Sequence, residues 1–381
     1  MKKILSVIVV VVVTLTQTAH ITAFAQETDK PAVNAQACVL YCVDDGKVYF
    51  SVNENKKMKP ASTTKLMTSL ITLEYADSAD KVVAFTKDMT AEGSSMYLKV
   101  GEKVKLSDLA AGMMMASGND AANAAAISIA GSAEKFSELM NNRAAVIGMK
   151  NTHFVTPSGL DDENHYSTAY DMALLMSYAL ENESFAKLTS QKSVTVEFSE
   201  PQSKRTTYTN HNRLLSMYEY CTGGKTGYTM AAGRCLVSSA KKDGLTFVCV
   251  TLNDRNDWND HIALYNYGFS KLACVECDDS DYYLEIPCAG GDDESIGVTG
   301  TKGKNVVVPF DKKSNVVRTA YADNFLYAPV KDGDIVGRIE YTLDGKTLAS
   351  TKLTAVEYSN TQNKNKSIWT KIKDFFTYGK E

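Results

Sequence analysis

The strongest constraint on this chain is a set of three short polar strings that are far apart in the sequence. They are Ser62-Thr63-Thr64-Lys65, Ser117-Gly118-Asn119 and Lys225-Thr226-Gly227. Each string alone is weak, because Ser-x-x-Lys also occurs elsewhere, for example at Ser132 to Lys135. Together they supply a hydroxyl nucleophile, a lysine one helical turn later, a second hydroxyl with an amide, and a cation beside a glycine. We therefore expect a fold that brings a helix start, a break between two helices and a strand edge into one pocket.

The first string has the spacing of a serine nucleophile with a lysine base. Residues three apart on a helix share a face, so Lys65 is expected to reach the hydroxyl of Ser62. A lysine acts as a base only when it is neutral, and burial together with the like charge of Lys225 would lower its pKa. We expect Ser117 to relay the proton to the departing amine and Asn119 to orient the lysine or the substrate amide.

The third string predicts a binding site for a carboxylate on the edge of a strand. Lys225 and Thr226 can hold the terminal carboxylate of a substrate, and Gly227 permits a close approach of the main chain. The backbone N–H groups of Ser62 and Tyr228 are the expected oxyanion donors. A carboxylate-holding group beside a nucleophile predicts a carboxypeptidase that removes the last residue of a peptide, here a peptide of the cell wall.

Other catalytic machinery is thinly represented in this sequence. There is no His-Glu-x-x-His for a zinc peptidase and no Gly-x-Ser-x-Gly elbow, so we expect neither metal nor cofactor. The histidines are interpreted as structural, with His153 and His165 in loops. A net charge of −4 and a body without basic stretches argue against nucleic acid as a partner.

The N-terminus predicts export. Lys2 and Lys3 precede the apolar run Ile4 to Val13, and Ala23-Phe24-Ala25 offers a cleavage site, so residues 1–25 are predicted to be a signal peptide. The alternative is an uncleaved anchor helix. We therefore expect an extracytoplasmic protein.

Eight cysteines in an exported chain raise the question of disulfide bonds. We favour buried free thiols, because Cys38, Cys42, Cys235 and Cys249 fall in strand-like apolar runs. One bridge among Cys274, Cys277 and Cys288 remains open as the alternative.

The hydrophobic pattern predicts an α+β catalytic domain over residues 26–277. An early hairpin turns at Asp44 to Lys47, helices occupy the middle, and strands and a helix come last, which indicates an antiparallel sheet with helices packed on it. The other predicted elements are helices after Pro60 and at Leu106–Met115, Ala121–Ala130, Thr168–Leu180 and Trp258–Leu272, and strands at Gly233–Ala240 and Leu245–Leu252.

Two further segments follow the predicted catalytic domain. Residues 278–359 are rich in Val, Thr, Tyr and Gly and predict a small all-β domain. Residues 360–381 are a polar linker and an amphipathic helix with Ile368, Trp369, Ile372, Phe375 and Phe376 on one face. This helix is predicted to lie on a membrane surface, the alternative being that it docks on its own domain.

The segment Pro60 to Thr68 resembles the nucleophile segment of serine-type D-alanyl-D-alanine carboxypeptidases, the low-molecular-mass penicillin-binding proteins. The likeness continues in Gly93 to Leu98, Ser117 to Ala122, Asn151 to Phe154, Gly159 to Asp162, Tyr166 to Asp171 and Gly224 to Thr229. It also covers the β-rich domain and the amphipathic tail, and so spans nearly all of the mature chain.

This resemblance implies a catalytic domain of the penicillin-binding and β-lactamase fold, followed by the small all-β domain and the C-terminal amphipathic helix. It implies that Ser62 forms an acyl-enzyme with the stem pentapeptide of peptidoglycan, whose D-Ala-D-Ala end loses its last residue. Lys65 would accept the proton, Ser117 and Asn119 would complete the site, and Lys225 would bind substrate. β-Lactam antibiotics would acylate the same serine, and the enzyme would be peripheral on the outer face of the cytoplasmic membrane.

Two alternatives stay open at this point. A serine β-lactamase carries the same three strings, and Glu163 lies where a deacylating glutamate would be sought. A non-catalytic wall-binding protein would keep the fold without the chemistry.

Overall fold

The computed structural model describes residues 30–291 and 294–356, and its strands and helices have the following bounds. The strands are β1 (Ala37–Cys42), β2 (Lys47–Val52), β3 (Val82–Ala84), β4 (Lys103–Lys105), β5 (Ser193–Glu197), β6 (Arg205–Thr209), β7 (Cys221–Thr229), β8 (Gly233–Lys242), β9 (Leu245–Leu252), β10 (Leu272–Val275), β11 (Tyr283–Ala289), β12 (Ser295–Gly300), β13 (Val306–Pro309), β14 (Val317–Ala322), β15 (Leu326–Tyr327), β16 (Ile335–Leu343) and β17 (Lys346–Ala355). The helices are α1 (Lys65–Ser78), α2 (Leu106–Met115), α3 (Asn119–Ala130), α4 (Ala133–Ile147), α5 (Ala169–Ala179), α6 (Glu183–Thr189), α7 (Leu214–Met217) and α8 (Asp257–Lys271).

A five-stranded antiparallel sheet with the order β2-β1-β9-β8-β7 forms the centre of the catalytic region. Strand β1 shows why both faces of this sheet are covered, because all six of its residues are buried. Successive side chains of a strand point to opposite faces. Val39 and Tyr41 accordingly join the core on the side of α1 to α5, and Leu40 and Cys42 join the core on the side of α8.

Helix α1 runs through the middle of the larger core. Nine consecutive residues, Lys65 to Leu73, are buried, so the helix is enclosed around its whole circumference. This arrangement is what the apolar sequence after Pro60 predicts. It also places a lysine at the buried start of the helix.

Most predicted elements are confirmed, with changes at some ends. Helix α2 and strand β9 have the predicted bounds, and the early hairpin turns where Asp44 to Lys47 predicted. Helix α3 begins at Asn119, two residues before the predicted start, so the break between α2 and α3 holds only three residues, Ala116 to Gly118. Helices α4 and α6 and the hairpin β5–β6 were not predicted.

The C-terminal region is all-β, as predicted, with a six-stranded sheet of order β14-β16-β17-β12-β11-β15. Its core contains Ile286, Val298, Ile339 and Leu353. The buried carboxylate of Asp279 connects three strands of this sheet, because it accepts hydrogen bonds from Arg318 on β14, Tyr341 on β16 and Thr351 on β17. The α+β fold with a following all-β region is therefore confirmed.

All eight cysteines lie within the described residues and are free thiols. The alternative of a bridge among Cys274, Cys277 and Cys288 is therefore not realised. Burial raises the pKa of Cys38 to about 12 and that of Cys249 well above its ordinary value. Since the thiolate is the reactive form, burial makes these thiols inert.

The predicted signal peptide (1–25) and the predicted linker and amphipathic helix (360–381) fall outside the described residues. Within residues 30–291 and 294–356, none of the helices has the length and apolar character needed to cross a bilayer.

Candidate active site

Ser62 lies in a short 3-10 helix, Ala61–Thr64, that leads directly into α1. A 3-10 helix has three residues per turn, so side chains three apart are eclipsed. Lys65 is the first residue of α1, and its Nζ lies 2.9 Å from Oγ of Ser62. The local backbone therefore produces the contact that the Ser-x-x-Lys spacing predicted.

Three acceptors surround the amine of Lys65. Besides Ser62, Nζ donates to Oδ1 of Asn119 at 2.7 Å and to the carbonyl oxygen of Ser158 at 2.7 Å. The Asn119 amide is held in this orientation because its Nδ2 donates to the carbonyl of Glu92 at 2.6 Å. Asn119 Oδ1 and the Ser158 carbonyl can only accept. A neutral lysine would thus use both N–H groups on them and direct its lone pair at the Ser62 hydroxyl.

The electrostatic surroundings favour that neutral form. Lys65 is fully buried, and burial followed by the charge of Lys225 lowers its pKa well below the ordinary value, with Asp120 opposing the shift. Burial also lowers the pKa of Lys225 to about 7. Two amines in one enclosed pocket are costly to keep charged, so both are driven toward the free base.

The string that begins at Ser117 and the string that begins at Lys225 are in contact on the other side of the pocket. Lys225 donates from Nζ to Oγ of Ser117 at 3.1 Å and to the carbonyl of Thr226 at 2.8 Å. Both Lys225 and Ser117 are buried. Ser117 has a φ of +57°, a left-handed conformation that is uncommon for a residue with a side chain. The three strings of the sequence therefore do converge.

Strand β7 lies at the edge of the five-stranded sheet, beside the 3-10 helix that carries Ser62. A Cβ on Gly227 would lie 3.0 Å from the carbonyl oxygen of Pro60 and from the backbone nitrogens of Ser62 and Thr63. Only glycine allows this approach, because all three neighbours are main-chain atoms. Gly227 thus sets the distance between β7 and the 3-10 helix that carries Ser62.

A cavity of about 510 Å³ opens over these groups. Ser62, Ser117, Thr226, Gly227 and Tyr228 all line it, whereas Lys65, Asn119 and Lys225 lie buried behind its wall. Tyr228 is 62% exposed at the mouth. The sequence-predicted residues thus divide into five that line the cavity and three polar side chains that are buried behind it.

Sequence reasoning missed the loop that brings Ser94 to the cavity. Asp120 anchors this loop: its carboxylate accepts hydrogen bonds from Met96 N at 2.8 Å, Leu98 N at 3.0 Å and Ser95 Oγ at 2.7 Å. Asp120 directly follows Asn119, so the helix that supplies the amide also fixes the loop. The sequence did contain an indication of this loop, because Gly93 to Leu98 is one of the segments that resemble the carboxypeptidase family.

The far end of the cavity was also not predicted. Arg234 pairs with the buried carboxylate of Asp257, with contacts from 2.7 to 3.1 Å, and lies 5.7 Å from the ring of Trp258. Asp257 neutralises the guanidinium, so the pair forms a polar wall. His211, interpreted above as structural, also lines the cavity, and burial together with Lys225 lowers its pKa.

Glu163 does not take part in this arrangement. Its side chain is exposed, and it is not among the residues that line the cavity. The structure therefore gives no support to the deacylating glutamate on which the β-lactamase alternative depends.

Comparison with known proteins agrees with this geometry. Residues 24–256 match the family described as D-alanyl-D-alanine carboxypeptidase, and residues 278–359 match the C-terminal domain of penicillin-binding protein 5. The D-alanyl-D-alanine carboxypeptidase DacF of Bacillus subtilis is 32% identical over 94% of this chain and 94% of its own length. The D-alanyl-D-alanine carboxypeptidase DacC of Escherichia coli is 34% identical over 88% of this chain and 87% of its own.

Solved structures give the same result. Penicillin binding protein 5 from Haemophilus influenzae is similar with a TM-score of 0.64 and 29% identity, covering 87% of this chain and 98% of that protein. A mutant of a Streptomyces DD-transpeptidase is similar with a TM-score of 0.60 and 28% identity, covering 63% of this chain and 99% of its own. The chain therefore belongs to the D-alanyl-D-alanine carboxypeptidase family.

Proposed function

We propose that this chain is a serine-type carboxypeptidase that removes the terminal D-alanine from peptidoglycan stem peptides ending in D-Ala-D-Ala. The observation that carries the proposal is the buried amine of Lys65, 2.9 Å from the Ser62 hydroxyl and fixed by two further acceptors. The names of the relatives, which are D-alanyl-D-alanine carboxypeptidases, support the substrate.

Acylation begins with proton transfer from the Ser62 hydroxyl to the neutral amine of Lys65. Oγ attacks the carbonyl carbon between the two D-alanines, and the negative charge develops on the carbonyl oxygen. The backbone N–H groups of Ser62 and Tyr228 are the donors for this oxyanion. The close packing of Gly227 against Ser62 N supports this role, because it brings β7 to the nucleophile.

Collapse of this intermediate breaks the peptide bond and requires a proton on the leaving amine. Ser117 delivers it and is reprotonated by the proton that Lys65 took from Ser62, so Lys65 is neutral again before deacylation. Lys225, 3.1 Å from Ser117 Oγ, stabilises that hydroxyl. Asn119 keeps the amine of Lys65 directed at Ser62. The leaving D-alanine carries a free carboxylate, which Thr226 holds at the edge of β7, while the cationic form of Lys225 behind the cavity wall supplies the positive charge.

Deacylation returns the enzyme to its starting state. Water attacks the ester carbonyl of the acyl-enzyme, its proton passes to Lys65, and Oγ of Ser62 leaves with a proton from the same amine. β-Lactam antibiotics acylate Ser62 by the same attack, with opening of the four-membered ring in place of amine departure.

We further propose that the protein acts outside the cytoplasm, after removal of residues 1–25. The amphipathic pattern of residues 360–381 supports a peripheral position on the outer face of the cytoplasmic membrane. Sedimentation of the full mature chain with lipid vesicles, compared with a chain ending at residue 359, tests the membrane part of this proposal.

Labelled penicillin tests the catalytic part. The purified protein is incubated with the label, and the adduct is located by peptide mass mapping and followed over time. A long-lived adduct on Ser62 is the expected result. Rapid turnover would instead identify a β-lactamase, and the absence of an adduct would identify a non-catalytic wall-binding protein.

A further inference from the structure

His165 is a buried histidine that the proposed chemistry does not use. It is 2% exposed. Its ring lies between Thr64, just before α1, and the loop of residues 153–160. Nε2 lies 2.9 Å from Oγ1 of Thr64, the residue immediately before Lys65. Nδ1 accepts hydrogen bonds from the backbone N–H groups of Val155 at 3.0 Å and Thr156 at 3.2 Å.

These contacts define the state of the ring. Backbone N–H groups can only donate, so Nδ1 carries no proton and Nε2–H donates to Thr64. Burial lowers the pKa of His165 to about 4, which keeps the ring neutral. The Phe154 ring packs against it in an edge-to-face arrangement, with centroids 5.7 Å apart. The imidazole is thus a fixed bridge between two main-chain segments.

The loop held by His165 delivers one of the three acceptors of the lysine. Three residues after Val155, the Ser158 carbonyl accepts from Lys65 Nζ at 2.7 Å, and the neighbouring Pro157 carbonyl accepts from Thr68 Oγ1 at 2.6 Å. Inside the loop, Thr156 Oγ1 accepts from Gly159 N at 3.1 Å. The segment is therefore hydrogen-bonded to Lys65 and Thr68 of α1, and through His165 to Thr64 of the preceding 3-10 helix.

We propose that His165 is a positioning residue for Lys65: its neutral ring holds residues 155–158 against Thr64 and thereby sets the Ser158 carbonyl on the lysine amine. The inference rests on the proposed function, because it assigns the ring to the geometry of the general base. Without this carbonyl, one N–H of Lys65 is unpaired and the lone pair is no longer confined to the direction of Ser62.

The expected effect is on the rate of the chemical step and not on substrate binding. The loop touches the lysine but does not line the cavity, so KM is expected to stay unchanged while kcat falls. A misplacement of about 1 Å at a catalytic group costs up to about a hundredfold in rate. We expect His165→Ala to lower the first-order acylation constant for penicillin about tenfold or more.

Substitutions can separate the two halves of the bridge. His165→Asn keeps an acceptor near the position of Nδ1 and loses the bond to Thr64, and Thr64→Val removes the same bond from the other side. The two changes break one interaction, so the double variant should be no slower than either single variant. Thr64→Ser, which keeps the hydroxyl, should restore the wild-type rate.

His153→Asn is the matched control, because His153 is an exposed histidine of the same loop.

Stopped-flow acylation of the full mature chain gives both the rate constant and the final yield of adduct. A residue that served only stability would lower the yield or the melting temperature and leave the rate constant of the folded fraction unchanged. A rate constant for His165→Ala within about threefold of wild type would therefore overturn this inference. If the wild type itself formed no adduct, the proposed function would fail, and this inference with it.

Discussion

Two buried lysines are the decisive residues of this molecule. Lys65 is fully buried and Lys225 is 1% exposed, although lysine is among the residues least often found inside a protein. Their neighbours are mostly neutral acceptors: Ser62, Asn119 and a carbonyl for Lys65, and Ser117 and a carbonyl for Lys225. The fold therefore bears a desolvation cost at this site, and this cost is what lowers the pKa of both amines.

This cost predicts a pH-dependent stability for Lys225. The pKa of Lys225 is about 7 in the folded protein and about 10.5 in the unfolded chain, so between these values the unfolded state binds more protons. Stability contributed by Lys225 therefore rises with pH across this window. Relative to Lys225→Met, the wild type should gain up to about 1.4 kcal/mol in the free energy of unfolding per pH unit. Urea unfolding at pH 7, 8 and 9 measures the difference.

Lys241 provides the control for this measurement, because it is an exposed lysine on the neighbouring strand β8. Lys241→Met removes the same formal charge without removing a buried amine, so it measures the general effect of losing one lysine. If the pH dependence of the Lys225→Met difference were the same as that of Lys241→Met, the amine of Lys225 would have to stay charged in the fold.

At the scale of elements, the site lies where strand β7 packs against the 3-10 helix that carries Ser62. Gly227 is the point of closest approach, with main-chain atoms 3.0 Å from where a Cβ would stand. Gly227→Ala should push the strand outward by a few tenths of an ångström and misalign Tyr228 N with the oxyanion. We expect the acylation rate constant for penicillin to fall about tenfold or more.

Met230→Ala serves as the control, since Met230 directly follows β7, is 90% exposed and is not among the residues that line the cavity. Its acylation rate should match the wild type. If Gly227→Ala were acylated at the wild-type rate, the close packing of β7 against the 3-10 helix would not determine the oxyanion geometry.

The sequence predicted the elements whose apolar pattern is regular. Helix α2 and strand β9 were placed to the residue, because each has a nearly continuous buried run. Helix α4 was missed although it has a Ser132 cap and buried Phe136 and Met140, since its mean hydropathy is low and most of its surface is polar. The strands β5 and β6 alternate too briefly to be distinguished from a loop.

The same limit applies to the site. The contact between Ser62 and Lys65 follows from their spacing, because local helix geometry connects them. The carbonyl of Ser158 and the ring of His165 reach Lys65 and Thr64 across about a hundred residues of sequence, and a backbone acceptor has no residue signature. Such contacts depend on tertiary packing, which a single sequence does not specify.

At the scale of the whole molecule, the C-terminal sheet has its own polar centre. Burial alone would raise the pKa of Asp279, but hydrogen bonds from Thr351, Arg318 and Tyr341 outweigh burial and lower it. A carboxyl with a lowered pKa stabilises the fold above its ordinary pKa, and this contribution is lost as the pH falls through the folded value. The sheet should therefore lose stability in acid.

Asp279→Asn tests this centre. At pH 7 the change should cost about 2 kcal/mol in the stability of the C-terminal sheet, because hydrogen bonds to a charged acceptor are lost. The difference from the wild type should shrink between pH 5 and pH 3, as measured by hydrogen exchange of β16 and β17. Acylation by penicillin should be unchanged, since Asp279 does not line the cavity. A difference that does not shrink in acid would contradict the account.

The most direct test of the central claim is the release of D-alanine from a peptide ending in D-Ala-D-Ala. The wild type and the control Ser190→Ala, which alters an exposed serine, should release it at the same rate. Ser62→Ala should be slower by about a thousandfold or more, because the acyl-enzyme cannot form. Equal release by Ser62→Ala and the wild type would contradict the assignment of this serine as the nucleophile.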